Sequence, residues 1–272
     1  MRVQELTAAF AERYPIDLQE SYDNSGEQVS FHDQPVDRVL VSLDVVDAVI
    51  DEAVRERCSL ILTHHPFLFR GITRVATDDP RSRMLLRLID ERISVYSIHT
   101  NLDKLFYDRL GEYLGIRDGE LLVRARGADH AASDQHGFGL CGALESDMTL
   151  GSFISLVQER LGLTFAVYVG DESRVIRTVG VINGAGGGLV ERILDERRLD
   201  CIVTGDIGYH HARAAMDRGA ALIDAGHYGT ERYLLAVLIR DLREFLGSRD
   251  SIAPEFVQSK IDLNPFAVRL NE

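Results

Sequence analysis

The chain has 272 residues, which is enough for one large α/β domain or two small ones without covalent staples. Its composition, 45% hydrophobic and 27% charged residues, is that of an ordinary soluble globular protein. The formal net charge of -13 argues against a broad nucleic-acid-binding surface, because such surfaces need clustered Lys and Arg to contact phosphates.

The first part of the chain alternates predicted strands and helices. Strands are predicted at 39–43, 60–63 and 93–98, with helices at 45–58 and 84–91 between them. This order, with short connections, predicts βαβ units and a largely parallel sheet.

The middle and the C-terminal part differ in pattern. Residues 127–139 are rich in small and polar side chains, which predicts a linker. After it we predict a strand at 140–144, a helix at 150–161, a strand at 165–169, then strands at 179–182, 201–204 and 221–224 alternating with helices at 188–197 and 212–217. From residue 251 onward the sequence reads as loop and short strand.

The two parts resemble each other, as expected of a diverged duplication. Residues 61–65 echo 202–206, and residues 97–103 loosely echo 224–231. We therefore expect two related α/β halves, 1–125 and 126–272. The carboxyl ends of both halves' strands would then share one crevice, where open α/β sheets commonly bind ligands.

We also expect a cytoplasmic protein with no membrane partner. The N-terminal residues form the start of an amphipathic helix and lack the apolar core of a signal peptide, and no apolar stretch is long enough to span a bilayer. Cys58, Cys141 and Cys201 are widely spaced, and each lies in or beside an apolar run, as expected of buried thiols in a reducing compartment.

Side chains that bind metals follow several of the predicted strands. These candidate ligands are His64, His65, Asp103, His227 and Glu231. Adjacent histidines on a regular strand point to opposite faces, so His64 and His65 can converge only if the strand has ended at Thr63. Imidazole and carboxylate together suit Zn, Fe, Mn, Co or Ni, and a carboxylate can bridge two ions, so two divalent metal ions are consistent with this set.

Simpler interpretations stay open for each ligand taken alone. A double histidine after a strand can be a surface or capping feature, and Asp103 can be the N-cap of a helix starting near Lys104. If the last helix begins at Thr230, His227 lies in the preceding loop, and Glu231 can serve as a first-turn carboxylate.

Other residues are candidates for catalysis or support. His99 can support the metal ligands or act as an acid or base, with a core histidine as the alternative. Asp206, His210 and His211 can face the same cavity, where His210 can move protons; exposed helix positions are the alternative. Gly184 to Gly188 matches no phosphate-binding fingerprint, so close packing or a tight turn is the preferred explanation, and no Ser or Cys has the spacing of a nucleophile elbow.

Several of these motifs together resemble the Nif-three-like family, whose members are also called GTP cyclohydrolase 1 type 2 homologues. They are Thr63-His64-His65-Pro66, His99-Thr100-Asn101-Leu102-Asp103, Thr204-Gly205-Asp206 and Gly226-His227-Tyr228-Gly229-Thr230-Glu231, with Tyr22-Asp23-Asn24-Ser25-Gly26 as a looser match. The resemblance spans nearly the whole chain.

The resemblance implies two intertwined α/β halves in a three-layer arrangement, with a dinuclear metal centre at their junction. It implies metal ligation by the five candidate ligands named above and assembly into ring-shaped homohexamers. The chain looks too short for the extra middle domain of longer members.

The candidate metal site is consistent with two functional hypotheses. The first is a metal-dependent hydrolase in which a water bridging two cations attacks a nucleotide or another small molecule, GTP included. The second is a non-catalytic protein that stores or delivers metal, or a scaffold. Nucleic acid as a partner is disfavoured by the net charge of -13.

Overall fold

The fold is described from a computed structural model over residues 1–125, 136–248 and 253–269. The helices are α1 (Val3–Arg13), α2 (Asp47–Arg55), α3 (Pro80–Asp90), α4 (Thr100–Leu105), α5 (Arg109–Tyr113), α6 (Leu150–Leu161), α7 (Val190–Glu196), α8 (Tyr209–Asp217) and α9 (His227–Gly247). The strands are β1 (Gly26–Val29), β2 (Arg38–Ser42), β3 (Leu60–Thr63), β4 (Ser94–Ser97), β5 (Ile116–Arg124), β6 (Gly137–Thr149), β7 (Val167–Val169), β8 (Val175–Val181), β9 (Cys201–Thr204), β10 (Ala221–Asp224) and β11 (Glu255–Gln258).

The chain divides into two compact units. The first unit comprises residues 1–102 and 235–272, and the second comprises residues 103–234. The predicted halves, 1–125 and 126–272, refer to the two copies of a duplicated sequence and not to compact units. They stay a prediction. Of the predicted linker, residues 127–135 lie outside the described residues, while 137–139 begin β6.

The first unit contains a mainly parallel sheet with the order β1-β4-β3-β2-β11. The strands β2, β3 and β4 run parallel, and Ser42, Thr63 and Ser97 lie side by side at their carboxyl ends. The short terminal strand predicted after residue 251 is β11, which adds to the sheet parallel to β2. The residues that follow Ser42, Thr63 and Ser97 therefore lie together beyond the carboxyl ends of these strands.

The second unit contains a mixed sheet with the order β5-β6-β8-β9-β10-β7. The strands β8, β9 and β10 are parallel, with Val181 beside Val203 and Thr204 beside Asp224. The hairpin of β5 and β6 extends one side, and β7 pairs antiparallel with β10 at the other edge. This arrangement again places several loop residues beyond the carboxyl ends of neighbouring strands.

The same run of elements occurs twice along the chain. From α1 to α4, and again from α6 to α9, the chain forms a helix, two strands, a helix, a strand, a helix, a strand and a helix. The strand order also matches, since β1-β4-β3-β2 corresponds to β7-β10-β9-β8, with the first strand antiparallel in each. The mixed α/β fold with parallel βαβ units is thus confirmed, and the shared topology agrees with a duplication.

Local sequence explains where key elements start and stop. Asp79 accepts a hydrogen bond from the Ser82 N–H at 2.7 Å, and Pro80 occupies the first turn of α3. Thr149 caps α6 in the same way through the Ser152 N–H at 3.2 Å, and Gly162 ends that helix in the left-handed conformation.

The strands that precede the candidate ligands are buried on both faces. In β10, which precedes His227, Ala221 and Ile223 pack into one hydrophobic cluster, while Leu222 packs into the cluster on the opposite face. Cys58, Cys141 and Cys201 are buried free thiols, as predicted. Among the described residues, no helix has both the length and the apolar character needed to cross a membrane.

Candidate metal centre

In the first unit, His64 and His65 follow β3 directly. The Thr63 hydroxyl donates a hydrogen bond to the His65 carbonyl at 2.9 Å, which bends the chain as it leaves the sheet. As a result the two imidazole rings lie on the same side, with centroids 5.0 Å apart, rather than on opposite faces. The prediction that the strand ends at Thr63 is confirmed.

Both imidazoles are held through Nδ1. His64 is buried, and its Nδ1 lies 2.9 Å from the carbonyl oxygen of Ile98. A carbonyl only accepts hydrogen bonds, so Nδ1 of His64 carries the proton and Nε2 has the lone pair. The Nδ1 of His65 lies 2.9 Å from the Asp44 carboxylate, just beyond β2, which favours the same tautomer.

A third imidazole, His99, lies beside these two. Its ring centroid is 5.1 Å from that of His64 and 5.5 Å from that of His65. Each of the three histidines offers a ring nitrogen, and these three nitrogens lie within 4.8 Å of one another. A histidine cluster of this size can bind a metal ion.

Asp23 holds His99 in place. Its carboxylate lies 2.7 Å from Nδ1 of His99 and also accepts hydrogen bonds from the N–H and the hydroxyl of Thr100. Burial of the Asp23 side chain opposes ionisation, but the hydrogen bonds from His99 and Thr100 outweigh it and hold the pKa of this carboxyl below its usual range.

In the second unit, His227 and Glu231 lie on successive turns of α9. The helix begins at His227 rather than at Thr230, so the expected loop position of His227 is wrong. Residues four apart share a helix face, and Nε2 of His227 lies 3.0 Å from Oε1 of the buried Glu231.

A carboxylate from the neighbouring strand end supports His227. The Asp206 carboxylate, beyond β9, lies 2.9 Å from Nδ1 of His227, while Asp206 itself has a left-handed backbone with φ of 57°. The hydrogen bond with Glu231 raises the pKa of His227 to about 9 although burial opposes the charge. Both ring nitrogens of His227 thus face carboxylate oxygens.

Gly184 leaves the space that the Glu231 carboxylate occupies. A Cβ atom at this position would lie 2.2 Å from Oε1 of Glu231 and 3.5 Å from Nε2 of His227, and Gly184 has φ of 64°. Its N–H donates to the Thr230 hydroxyl at 2.8 Å. The glycine is therefore required here by close approach to two candidate ligands as well as by its backbone conformation.

Asp103 lies inside α4, so its interpretation as an N-cap is wrong. It is buried, and its Oδ1 accepts a hydrogen bond from the Asn183 side chain at 2.7 Å. Asn183 follows β8 in the second unit, to which Asp103 also belongs. An amide that donates to one carboxylate oxygen fixes the orientation of the group, as expected for a ligand with outer support.

The two further histidines of α8 have ordinary surroundings. His210 is exposed, with its ring edge-on to Tyr209 at 5.4 Å between centroids. His211 accepts a hydrogen bond from the Gly208 N–H at 3.2 Å at the start of α8.

The preferred explanation of the glycine run at 184–188, close packing, is confirmed, since a Cβ at Gly187 would lie 2.1 Å from the Asp206 carbonyl.

Sequence reasoning missed several supporting residues. Asp23 belongs to the Tyr22-to-Gly26 motif but has no predicted role, and no role is predicted for Asp44 or Asn183. For Asp44 a usable signal existed, because it lies beyond the carboxyl end of a parallel strand as the histidines do. The contact of Asp23 with His99 had no such signal, because 76 positions separate the two residues.

These features define a mixed α/β protein with histidine- and carboxylate-rich candidate metal sites. The profile of the family described as Duf34/NIF3 (NGG1p interacting factor 3) matches residues 1–265, and the chain belongs to this family. The family resemblance that the motifs indicated is confirmed.

Individual relatives agree with this assignment. A Clostridium acetobutylicum protein named GTP cyclohydrolase 1 type 2 homolog is 34% identical over 266 residues, covering 96% of this chain and 97% of the relative. The Schizosaccharomyces pombe protein NIF3 homolog is 28% identical over 264 residues, covering 93% and 92%. A crystal structure of a Bacillus cereus protein related to NIF3 superimposes with a TM-score of 0.90 at 22% identity and 99% coverage of both chains, which shows the fold.

Proposed function

We propose that this protein binds two divalent metal ions and is a metal-dependent hydrolase. The proposed ligands are His64, His65, Asp103, His227 and Glu231. The observation that carries the proposal is the shared support of the histidines: His64, His65 and His227 each engage an oxygen through Nδ1. This arrangement is the usual one for metal-binding histidines in proteins.

The chemistry of the ligand set limits the choice of metal. Three imidazoles and two carboxylates suit Zn, Fe, Mn, Co or Ni, and they are a poor match for Ca or Mg, which prefer oxygen ligands alone. Gly184 supports the proposal, because the absence of a Cβ atom at this position leaves room for the Glu231 carboxylate beside His227.

Each supporting residue has a definite task in the proposed centre. Asp44 and Asp206 hold the rings of His65 and His227, and Asn183 holds the carboxylate of Asp103. When bound, the divalent ions would supply a water-derived nucleophile near neutral pH. The residues of the chain contribute fixed orientation, so that little rearrangement is needed when metal or substrate binds.

The substrate proposed for the first test is GTP, since close relatives carry the name GTP cyclohydrolase 1 type 2 homolog. The chain carries a net charge of -13, so a polyphosphate would approach more readily once cations are bound. Ring-shaped homohexamers and a cytoplasmic location also belong to the proposal. Light scattering of the purified protein measures the assembly state directly.

The test combines metal content with turnover. The purified chain is analysed for bound elements and then incubated with GTP and a panel of nucleotides and phosphoesters, beside His64→Ala and the control His32→Ala. We expect two ions per chain and a hydrolytic activity that His64→Ala abolishes and His32→Ala retains. His32 is a suitable control because it is exposed and paired with Glu27.

An absence of turnover across the whole panel, with both ions bound, would refute the hydrolase. If such a protein passed its metal to an apo-acceptor faster than to a chelator, the alternative of a metal-storing or metal-delivering protein would replace it.

A further inference from the structure

We propose that His99 is a metal ligand, and that His64, His65 and His99 form a three-imidazole site able to bind one late first-row transition-metal ion within the first unit. The inference rests on the proposed function in one respect, the binding of metal by His64 and His65. It adds a ligand outside the five-residue set and a site that does not depend on the second unit.

The three imidazole rings are close enough to one another to share one ion. The three imidazole rings are mutual neighbours, with centroid separations of 5.0, 5.1 and 5.5 Å. Their potential ligand nitrogens lie within 4.8 Å of one another. Three nitrogens at up to this separation are compatible with one ion at metal–nitrogen distances of about 2.0–2.1 Å after small rotations of the rings.

The hydrogen bonds of the three rings favour the same tautomer in each. Each of these histidines meets an oxygen acceptor at Nδ1: the Ile98 carbonyl for His64, Asp44 for His65 and Asp23 for His99. The tautomer with the proton on Nδ1 places the lone pair on Nε2 in all three rings. A core histidine needs only one satisfied polar contact, whereas three neighbouring rings held in the same tautomer are what a metal site requires.

A network of hydrogen bonds holds His99 in place. The side chain of Asp23 is fully buried and is itself held by the N–H and the hydroxyl of Thr100. The backbone N–H of His99 donates to the Asn101 side chain at 3.0 Å, and Ser25 bonds to the same amide oxygen at 2.9 Å. This network gives the Asp23–Ser25 segment a role that the five-residue set leaves unexplained: it positions the third imidazole.

The chemistry of the site defines what it binds. Three neutral nitrogen ligands favour Zn, Co or Ni over Mg, Ca and Mn, and three protein ligands are the number that catalytic zinc sites use. The first unit would therefore retain one such ion when His227 and Glu231 of the second unit are replaced.

The experiment measures binding of Co²⁺ to the full chain carrying His227→Ala and Glu231→Ala. Cobalt content after buffer exchange, chelator competition and the absorption spectrum of bound Co²⁺ give stoichiometry, affinity and coordination. His99→Gln, Asp23→Ala and His32→Gln are then added singly to this background. Gln at position 99 keeps a polar side chain of similar length, and circular dichroism checks the fold of every variant.

We expect the parent double variant to bind one Co²⁺ ion. His99→Gln should weaken binding by at least about 10-fold and change the spectrum, Asp23→Ala should weaken it by about 10- to 100-fold, and His32→Gln should have no effect. Failure of the double variant to bind Co²⁺, or equal affinity with and without His99→Gln, would overturn the inference.

If the double variant does not fold, the tightest Co²⁺ site of the otherwise unchanged chain is measured with His99→Gln against His32→Gln, and the same difference is expected. All of these readouts are independent of turnover. A protein without hydrolytic activity can still show the three-imidazole site, and an unaltered affinity in His99→Gln leaves the hydrolase proposal standing.

Discussion

Adding one methyl group at Gly184 tests the candidate centre without removing any ligand. In Gly184→Ala the new Cβ would lie 2.2 Å from Oε1 of Glu231, far inside the distance at which carbon and oxygen can remain. The atom met is the end of a side chain, so the carboxylate moves and the backbone stays. The substitution therefore acts on the orientation of a proposed metal ligand.

The size of the effect follows from two contributions. A residue other than glycine in the left-handed conformation, here φ of 64°, costs about 1–2 kcal/mol. Overpacking beside the buried Glu231 adds about 1–3 kcal/mol. The free energy of unfolding of the metal-free protein should thus fall by about 2–5 kcal/mol, and metal affinity should fall by at least about 10-fold because Glu231 is displaced.

Two other glycines provide matched controls. Gly219 also has a left-handed backbone, with φ of 70°, but among the described residues nothing lies within 4 Å of an added Cβ, so Gly219→Ala isolates the backbone contribution. Gly188→Ala has neither problem and should be nearly neutral. Denaturant unfolding and chelator competition are measured for all three variants. If Gly184→Ala binds metal as tightly as Gly219→Ala does, the close approach to Glu231 is not what the structure indicates.

Three further substitutions or conditions give distinct readouts. Asp206→Gly relieves the left-handed backbone but also removes the hydrogen bond to His227, so the free energy of unfolding of the metal-free protein should change by no more than about 1 kcal/mol. Metal binding should weaken by about 10- to 100-fold through loss of support for His227. Scanning calorimetry measures the stability and titration calorimetry measures the affinity, and a large loss of stability without a loss of affinity would contradict the assignment. Burial opposes ionisation of Asp200, but hydrogen bonds from Thr178 and the Arg177 N–H lower its pKa. The ionised carboxylate therefore stabilises the fold above about pH 3.9, and this stabilisation is lost as the pH falls further. In Asp200→Asn the free energy of unfolding should depend less on pH in this acid range, and an unchanged pH dependence would contradict the assignment. Burial raises the pKa of the Cys58 thiol to about 11, so its alkylation near pH 8 should be slow until the protein is unfolded. Mass spectrometry measures the labelling, and rapid labelling of the native protein would contradict the burial of this thiol.

The parallel βαβ core was predictable because its strands are buried on both faces and read as continuous apolar runs. The strands β3, β9 and β10 and the helix α6 begin and end at the predicted residues. The strand β5 was not predicted, since its register shifts between Arg117 and Glu120 and four consecutive residues after Ile116 are exposed. A pattern without alternation gives no periodic signal for a strand.

The ligand types and their places at strand ends were also predictable, while the contacts that fix them were not. That His227 opens α9 depends on hydrogen bonds of Thr230, whose hydroxyl donates to the carbonyls of Gly226 and His227 and whose N–H donates to Gly226. The sequence suggests Thr230 as the start of the last helix, and only the structure shows that it lies one turn inside α9. The pairing of Asp23 with His99 is likewise a product of tertiary folding.

In each unit an aspartate carboxylate beyond one strand holds a histidine that follows the neighbouring strand. The two pairs do not occupy corresponding positions of the repeated topology. Asp44 lies two residues beyond β2 and holds His65, which follows the neighbouring strand β3. Asp206 lies two residues beyond β9 and holds His227, which follows the neighbouring strand β10.

In the shared topology β9 corresponds to β3, so Asp206 occupies the place of His65 and not that of Asp44. Inheritance of one ancestral pair would have put the carboxylate of the second unit after β8, where Asn183 lies instead and donates to Asp103. The pairing therefore reflects the spacing of adjacent parallel strands, about 4.8 Å, which brings a carboxylate from one strand end within reach of an imidazole from the next.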